Sequence, residues 1–242
     1  MMELQKDLYQ NVNQTINDAF DRIIAEIHIK KQQKGYQTFM LCGCEPKVGT
    51  TTIAINLAIA MANAGWKTLL LDVDLRKKSE AKRLNSYAEL GLADYFEGEV
   101  DKIEKVICNT NYDNLKYIGS GKKVSNAISL LCSVKMKELL LGLKNEYDYI
   151  IIDVPSVATS VDANVLATQA DSVVLVTSHR TGTQKMVEKT KKQFDRINAE
   201  VSGIIVNKIE SKEYRRVMKD FDYFKKNKYI TNKKYMNKAK EN

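Results

Sequence analysis

The pattern of apolar positions along the chain changes its period after residue 34. Before that point, apolar residues such as Phe20, Ile23 and Ile27 recur at helical spacing and predict a helical segment over residues 1–34. After it, short continuous apolar runs alternate with longer stretches of helical spacing, which predict strands and helices in turn. The predicted strands span 37–42, 67–74, 114–119, 147–154, 172–178 and 201–208, and the predicted helices span 53–64, 126–145, 162–169 and 183–198.

The connections between the predicted strands are long enough to contain crossover helices. Strands that read as continuous apolar runs are typical of a parallel sheet with both faces covered. We therefore expect an α/β fold with a doubly wound, mostly parallel sheet, formed by one domain over residues 35–211. The helical segment 1–34 precedes this domain, and a tail over residues 212–242 follows it.

The positive charge of the chain is concentrated in this tail. Residues 212–242 contain eleven Lys and Arg against four Asp and Glu, a net charge of +7, whereas the whole chain carries +8. The body of the chain is therefore nearly neutral, and the basic character belongs to the tail.

The composition indicates a cytoplasmic protein. The first ten residues, MMELQKDLYQ, lack the apolar core of a signal peptide. The apolar stretch 52–66 is interrupted by Asn56 and Asn63 and falls short of the ~20 residues that cross a bilayer. The four cysteines show no CxxC or His-paired spacing, so we expect reduced thiols and no metal bound through cysteine.

The stretch CGCEPKVGTTT, residues 42–52, lies between a predicted strand and a predicted helix. A phosphate at this junction would meet unpaired backbone N–H groups and the positive end of the helix dipole. Thr51 stands at the hydroxyl position of a GxxxxGK[ST] phosphate loop, but Cys44 replaces the first glycine and Thr50 replaces the lysine. A plain strand-to-helix turn therefore remains the alternative interpretation.

Carboxylates follow two of the predicted strands. Asp72 and Asp74 lie at the end of one strand, and Asp153 lies at the end of another. Carboxylates at the ends of parallel strands are poorly solvated unless a cation sits between them, and Mg²⁺ held through waters meets that need. A single aspartate after an apolar strand is usually a helix cap. Capping is a poorer explanation for aspartates at the ends of two strands that accompany a phosphate loop.

Two of these segments, LLLDVDLRK (69–77) and YDYIIIDVPSV (147–157), make the sequence resemble a known family. The sequence is similar to the bacterial tyrosine kinases of capsule and exopolysaccharide synthesis, of the CapB/CpsD type. These belong to the deviant P-loop NTPases that include MinD and ParA (the SIMIBI class). The two segments match the family's Walker A′ and Walker B motifs, and residues 42–52 match its Walker A motif.

The resemblance implies a role for each matching position, with ATP and Mg²⁺ as cofactors. The loop wraps the phosphates, Asp72 and Asp153 hold waters of Mg²⁺, and Asp74 accepts the proton of the attacking hydroxyl. The implied catalytic residues are Asp74, Asp72 and Asp153; the nucleotide-binding residues are Lys47, Val48, Gly49, Thr50, Thr51, Thr52 and Asn207, the last contacting adenine; the metal-binding residues are Thr51, Asp72 and Asp153; and the phosphoacceptors in the tail are Tyr214, Tyr223, Tyr229 and Tyr235.

The sequence departs from the family pattern in the phosphate loop and in the N-terminal segment. Thr50 removes the ammonium group that reaches the β- and γ-phosphates, and Lys47 stands where the family has glycine. We hypothesise that Lys47 partly replaces the missing charge. The family's ExxRxxR element, which joins its subunits into rings, aligns with Asp18, Asp21 and Ile24, so both arginines are absent.

Three functions are consistent with these features. The first is a cytoplasmic ATP-dependent tyrosine kinase that phosphorylates its own tail. It would lie at the inner face of the membrane through a membrane-embedded co-polymerase of the CapA/CpsC type and form homo-oligomers. The second is a catalytically impaired regulatory subunit of the same complex. The third is a MinD- or ParA-like switch whose basic tail binds anionic lipid or DNA, although we expect no specific nucleic acid partner.

Overall fold

The computed structural model describes residues 5–6, 8, 14–76, 90–210, 212–214 and 216. The predicted strands are present, with their ends moved by one or two residues. The strands are β1 (Gln5–Lys6), β2 (Thr38–Gly43), β3 (Thr68–Asp72), β4 (Ile107–Thr110), β5 (Leu115–Ile118), β6 (Tyr149–Asp153), β7 (Ser172–Ser178) and β8 (Val201–Asn207). The helices are α1 (Gln14–Lys34), α2 (Thr50–Asn63), α3 (Leu92–Glu97), α4 (Ala127–Leu131), α5 (Val134–Lys144), α6 (Asp162–Ala167) and α7 (Gln184–Asp195).

These strands form one sheet in the order β1-β4-β5-β3-β6-β2-β7-β8. Every neighbouring pair is parallel except β4 and β5, which are antiparallel. Strands β3, β6 and β2 lie in the middle, so their carboxyl ends meet at one edge of the sheet. The prediction of a doubly wound, mostly parallel α/β sheet is confirmed.

Alternate residues of the central strands enter two hydrophobic clusters, one on each face of the sheet. Leu70 of β3 belongs to the cluster under α1 and α2, whereas Leu69 and Leu71 belong to the cluster under α3 to α7. Helix α1 contributes Phe20 and Ile27, each 4% exposed, to the first cluster. Burying such a side chain fully stabilises the fold by about 1.5–3 kcal/mol. We refer below to the face covered by α1 and α2 as the α2 face.

The beginning of the chain corrects the predicted helix over residues 1–34. The helix occupies only Gln14–Lys34, and Gln5–Lys6 pairs in parallel with β4 instead. Asn111 holds this segment, because its amide accepts from the Leu8 N–H (2.7 Å) and donates to the Leu8 carbonyl (2.9 Å). Leu8 is buried in the cluster of the α2 face. Pairing with a distant strand edge therefore overrides the local helical period.

The helix predicted over 126–145 is also corrected, because it divides into α4 and α5. Ser133 lies at the break, where its hydroxyl accepts from the Met136 N–H (3.2 Å) and donates to the Leu130 carbonyl (2.6 Å). A serine that caps a new helix in this way competes with continuation of the preceding one. At the C-terminal end of α2, Gly65 adopts a left-handed φ of 92° just beyond the helix, a position where glycine is favoured.

Asp171 joins three elements at the edge of the sheet opposite the carboxyl ends. Its Oδ2 accepts from the backbone N–H groups of Gln37 (2.8 Å) and Thr38 (2.9 Å). Its Oδ1 accepts from the Lys144 ammonium at the end of α5 (2.6 Å). Burial alone would raise the pKa of Asp171, but Lys144 and the two N–H groups outweigh burial and lower it below its usual value.

We expect Asp171→Ala to lower the free energy of unfolding by about 2–3 kcal/mol at pH 7, because two backbone N–H groups and one ammonium lose their acceptor. A carboxylate whose pKa is lowered in the folded state stabilises above the unfolded pKa. That stabilisation is lost as the pH falls through the folded pKa. Urea unfolding at pH 7 and at successively lower pH values measures both effects.

Asp195→Ala is the matched control, since it removes a carboxylate from the exposed ion pair with Lys191 (3.1 Å). Such a pair contributes about 0.3–0.5 kcal/mol. Equal destabilisation by the two variants, or a pH-independent difference between Asp171→Ala and the wild type, would contradict the role assigned to Asp171.

Candidate functional site

The loop between β2 and α2 is buried on both sides of an exposed tip. Cys44 is buried, and its N–H donates to the Val176 carbonyl of β7 (2.8 Å). Pro46 and Lys47 are exposed, and Val48 is buried again at 1% exposure. The loop is therefore anchored on both sides of an exposed tip.

Two residues of this loop adopt left-handed backbone conformations. Gly49 has φ 93° and Lys47 has φ 62°. Glycine adopts such values without strain, whereas a residue with a side chain does so at a cost of about 1–2 kcal/mol. A Cβ on Gly49 would lie 2.6 Å from the Asn207 Nδ2 atom. The loop thus requires glycine at position 49 and tolerates a strained lysine at position 47.

Helix α2 begins at Thr50, three residues before the predicted start at Ile53. Thr50, Thr51 and Thr52 all lie in its first turn, where N–H groups have no acceptor within the helix. The N-cap Gly49 offers no side-chain acceptor to these groups. The first turn of α2 therefore presents backbone donors, and the positive end of its dipole, to the loop.

Asn207, at the end of β8, forms a hydrogen bond with this loop. Its Nδ2 donates to the Val48 carbonyl (2.7 Å), and its own carbonyl accepts from the His179 N–H (2.8 Å). The resemblance implied a contact with adenine for Asn207. The structure brings its side chain to the phosphate loop, which is a contact that the sequence did not predict.

Glu45 is a candidate site residue that the sequence analysis did not predict. Its side chain is only 8% exposed, and its Oε1 accepts from the Ser178 N–H (3.2 Å) and the Thr181 hydroxyl (3.0 Å). The only feature of the sequence that could have indicated Glu45 is that an acidic residue is unexpected in a loop predicted to bind phosphate. Its partners lie more than 130 positions away, which no local pattern reveals.

Asp72 and Asp153 lie side by side at the carboxyl edge of the sheet. They are register partners on the neighbouring parallel strands β3 and β6. Because side chains alternate along a strand, Asp72 shares the face of Leu70 and Asp153 that of Ile151, which is the α2 face. The structure therefore brings these two carboxylates to the edge and the face from which α2 begins.

The side chains of Asp72 and Asp153 are buried, and both influence the hydroxyl of the neighbouring Tyr117. Asp72 is 3% exposed, Asp153 is 6% exposed, and no lysine or arginine in the described part of the chain is buried. Burial raises the pKa of the Tyr117 hydroxyl well above its usual value, and the carboxylates of Asp72 and Asp153 act in the same direction. The site therefore holds two buried aspartate side chains close to one phenol.

Asp74 follows immediately in the loop after β3. Its N–H donates to Asp72 Oδ1 (2.9 Å), and its side chain is 9% exposed. Two residues later, Arg76 makes a bidentate pair with the fully buried Asp162 (2.7 and 2.8 Å) at the start of α6. Hydrogen bonds to Asp162 raise the pKa of Arg76. The pair fixes the loop that carries Asp74 against the element that follows β6.

The predicted phosphoacceptors fall mostly outside the described residues. Tyr223, Tyr229 and Tyr235 lie there, and nothing in the structure bears on them. Tyr214 is described, and its N–H donates to the Glu210 carbonyl (2.9 Å) in a helical turn. The candidate site is thus defined by the loop, the two strand ends and Asn207, and not by the tail.

Comparisons with known proteins identify the family and the fold. A family model described as an AAA domain matches residues 45–205. The tyrosine-protein kinase CpsD of Streptococcus agalactiae is 36% identical over 162 residues, which cover 66% of this chain and 70% of CpsD. The solved structure of the chimerical protein CapA2B2 is 25% identical and has a TM-score of 0.76, covering 86% of this chain and 95% of that one.

A second solved structure, the kinase domain of the Escherichia coli tyrosine kinase ETK, has a TM-score of 0.74 at 25% identity. It covers 79% of this chain and 74% of that chain. The resemblance inferred from the Walker A′ and Walker B segments is therefore confirmed. The chain belongs to the AAA domain family and to the family of bacterial tyrosine-protein kinases that includes CpsD.

Proposed function

We propose that this chain binds ATP with Mg²⁺ and phosphorylates tyrosines of its own tail as a kinase of capsular or exopolysaccharide biosynthesis. The observation that carries the proposal is the register pairing of Asp72 with Asp153 on the α2 face, at the edge where α2 begins. Phosphoryl transfer depends almost entirely on positioning and on neutralising charge; this arrangement places two carboxylates where they would hold the neutralising cation.

The residues present fit a magnesium-bound nucleotide. Within the described ranges, no group of three or more His, Cys, Asp or Glu side chains is arranged to hold a metal ion. Mg²⁺ ordinarily takes one or two carboxylates, with waters and substrate phosphates completing its octahedron. Asp72 and Asp153, with the Thr51 hydroxyl in the first turn of α2, would provide a donor set of that kind.

The proposed function assigns one role to each of these groups. The N–H groups of the loop and of the first turn of α2 would bind phosphate oxygens, and Asp72 and Asp153 would hold the cation through its waters. The bound Mg²⁺ would supply the positive charge that the phosphates need. Asp74 accepts the proton of the tyrosine hydroxyl, and the tail tyrosines Tyr214, Tyr223, Tyr229 and Tyr235 are the acceptors.

Lys47 is the cation that the loop itself offers in place of the lysine lost at Thr50. Arg76 cannot serve, because withdrawing it would leave Asp162 as an uncompensated buried charge, at a cost of about 3–5 kcal/mol. Lys47 is exposed at the tip of the loop and is held in a left-handed conformation. We propose that its ammonium reaches the phosphates.

We expect Lys47→Ala to weaken ATP·Mg²⁺ binding about fivefold to tenfold, as the loss of one partly solvated charged contact requires. Lys47→Gly is the matched control, because it removes the same charge and also relieves the left-handed strain. Calorimetric titration of both variants measures the effect. Equal losses assign it to the ammonium, whereas wild-type affinity in both variants removes Lys47 from the site.

The partner proposed for this chain is a membrane-embedded activator of the CapA/CpsC type. The structural neighbour CapA2B2 is a chimerical protein. In the described residues, no helix combines the length and the apolar character needed to cross a bilayer. We propose that the chain acts in the cytoplasm, at the inner face of the membrane, through this partner and in homo-oligomers.

A catalytically impaired regulatory subunit is the second candidate function, and Thr50 is the observation that favours it. Calorimetry with ATP·Mg²⁺ and detection of phosphotyrosine on the same sample separate the two functions. Binding with phosphotyrosine supports the kinase, and binding without it supports the regulatory subunit. Absence of binding removes both.

A further inference from the structure

The phosphate loop belongs to a closed ring of hydrogen bonds that includes the last residue of β7 and the residue that follows it. Glu45 Oε1 accepts from the Ser178 N–H, and the next residue, His179, donates its N–H to the Asn207 carbonyl. Asn207 then donates its amide to the Val48 carbonyl, which returns the ring to the loop. The loop is therefore held from two sides before any ligand arrives.

The segment after β7 is itself rigidly built. The Gly182 N–H donates to the Ser178 carbonyl (2.7 Å), and a Cβ on Gly182 would lie 2.1 Å from the Thr177 Oγ1 atom. The turn thus closes tightly behind the three groups that donate to Glu45 Oε1, which are the Thr177 hydroxyl, the Ser178 N–H and the Thr181 hydroxyl. An anchor on this turn fixes the phosphate loop more firmly than one on a mobile loop would.

The second carboxylate oxygen of Glu45 is differently placed. Among the described residues, Glu45 Oε2 is buried and has no hydrogen-bond partner. A buried acceptor without a donor costs free energy, more so when it carries charge. The carboxylate therefore supports the loop with one oxygen and keeps the other as a buried acceptor.

We propose that Glu45 has two roles in nucleotide binding, a proposal that rests on the function proposed above. Oε1 positions the phosphate loop, and Oε2 accepts a hydrogen bond from a donor that arrives with the ligand. That donor is an O–H or N–H group, carried either by a water of the hydrated Mg²⁺ or by the nucleoside. Glu45 is thus a positioning residue that also contacts the bound complex.

Glu45→Gln and Glu45→Ala separate the two oxygens. The glutamine keeps an acceptor for Ser178 but places an NH₂ group where Oε2 was, and the alanine removes both acceptors. In the ligand-free protein we expect the Ser178 amide to exchange with solvent as in the wild type for Glu45→Gln, and at least tenfold faster for Glu45→Ala. Hydrogen exchange followed by mass spectrometry measures this difference, with Glu188→Gln on the exposed face of α7 as the control.

Calorimetry then tests the second oxygen with ATP·Mg²⁺ and with inorganic triphosphate·Mg²⁺. We expect Glu45→Gln to weaken ATP·Mg²⁺ binding about tenfold, as the loss of one charged hydrogen bond implies. An equal loss with triphosphate identifies a metal-bound water as the donor, and a loss confined to ATP identifies the nucleoside. Wild-type affinity in Glu45→Gln overturns the role of Oε2.

The exchange experiment needs no ligand, so it distinguishes this proposal from the proposed function. Wild-type exchange of the Ser178 amide in Glu45→Ala overturns the anchoring role, whatever the nucleotide does. If the wild-type protein binds neither ligand, the proposed function and the role of Oε2 fail together. The anchoring role is then decided by exchange alone.

Discussion

Thr50→Lys should increase the rate of tail phosphorylation by about 10- to 150-fold. A charge-assisted hydrogen bond contributes about 1.5–3 kcal/mol, and each 1.36 kcal/mol removed from the barrier is a tenfold gain in rate. The Thr50 side chain already points into the loop, since its Oγ1 would lie 2.9 Å from a Cβ on Gly43. A lysine extending from the same position would place its ammonium over the phosphates.

Thr50→Met is the matched control, because methionine has nearly the length of lysine and carries no charge. Phosphotyrosine formed per unit time, measured with saturating ATP·Mg²⁺, compares the three proteins. A gain with lysine and none with methionine would show that the site has every other part it needs. Similar rates in both variants would mean that the loop no longer positions the phosphates, and would favour the regulatory subunit.

The central sheet could be predicted from the sequence because its strands are buried on both faces. A run such as YIIID in β6 is apolar at every position but the last, so neither its identity as a strand nor its burial depends on distant residues. The peripheral strands β1 and β4 carry no such run. Their pairing is decided by Asn111 and Leu8, which meet only in the folded chain.

The candidate site divides in the same way. Aspartates that end apolar strands can be recognised from the sequence, and so can a loop that leads into a helix. The register that places Asp72 beside Asp153 cannot, since it depends on which strands become neighbours. Glu45 and the loop contact of Asn207 were missed for the same reason, as each bonds to a segment far along the chain.

The start of α2 was misplaced for a local reason. Three consecutive threonines, Thr50 to Thr52, interrupt the apolar helical period, and β-branched residues lower helix propensity. Periodicity therefore places the helix start after them. In the structure they form its first turn, whose N–H groups have no acceptor within the helix and would serve the proposed phosphate site.

Asp74→Asn should lower tail phosphorylation by about 10²- to 10⁴-fold, the usual contribution of a general base, while leaving ATP·Mg²⁺ affinity nearly unchanged. Asparagine at position 74 should preserve the shape of the loop after β3. The hydrogen bond from this position to Asp72 Oδ1 is donated by the backbone N–H and not by the side chain of residue 74. The measurement is best made in the Thr50→Lys background, where the larger rate leaves room to see the loss.

Asp72→Asn is the comparison that separates proton transfer from cation binding. Asp72 shares the cation with Asp153, so its neutralisation should weaken ATP·Mg²⁺ binding and phosphorylation together. Asp74→Asn should affect phosphorylation alone. If both variants lose affinity equally, Asp74 contributes to cation binding as well. The backbone N–H of Asp74 already donates to the Asp72 carboxylate, so the two residues are neighbours. If Asp74→Asn phosphorylates its tail at the parent rate, another group takes the tyrosine proton.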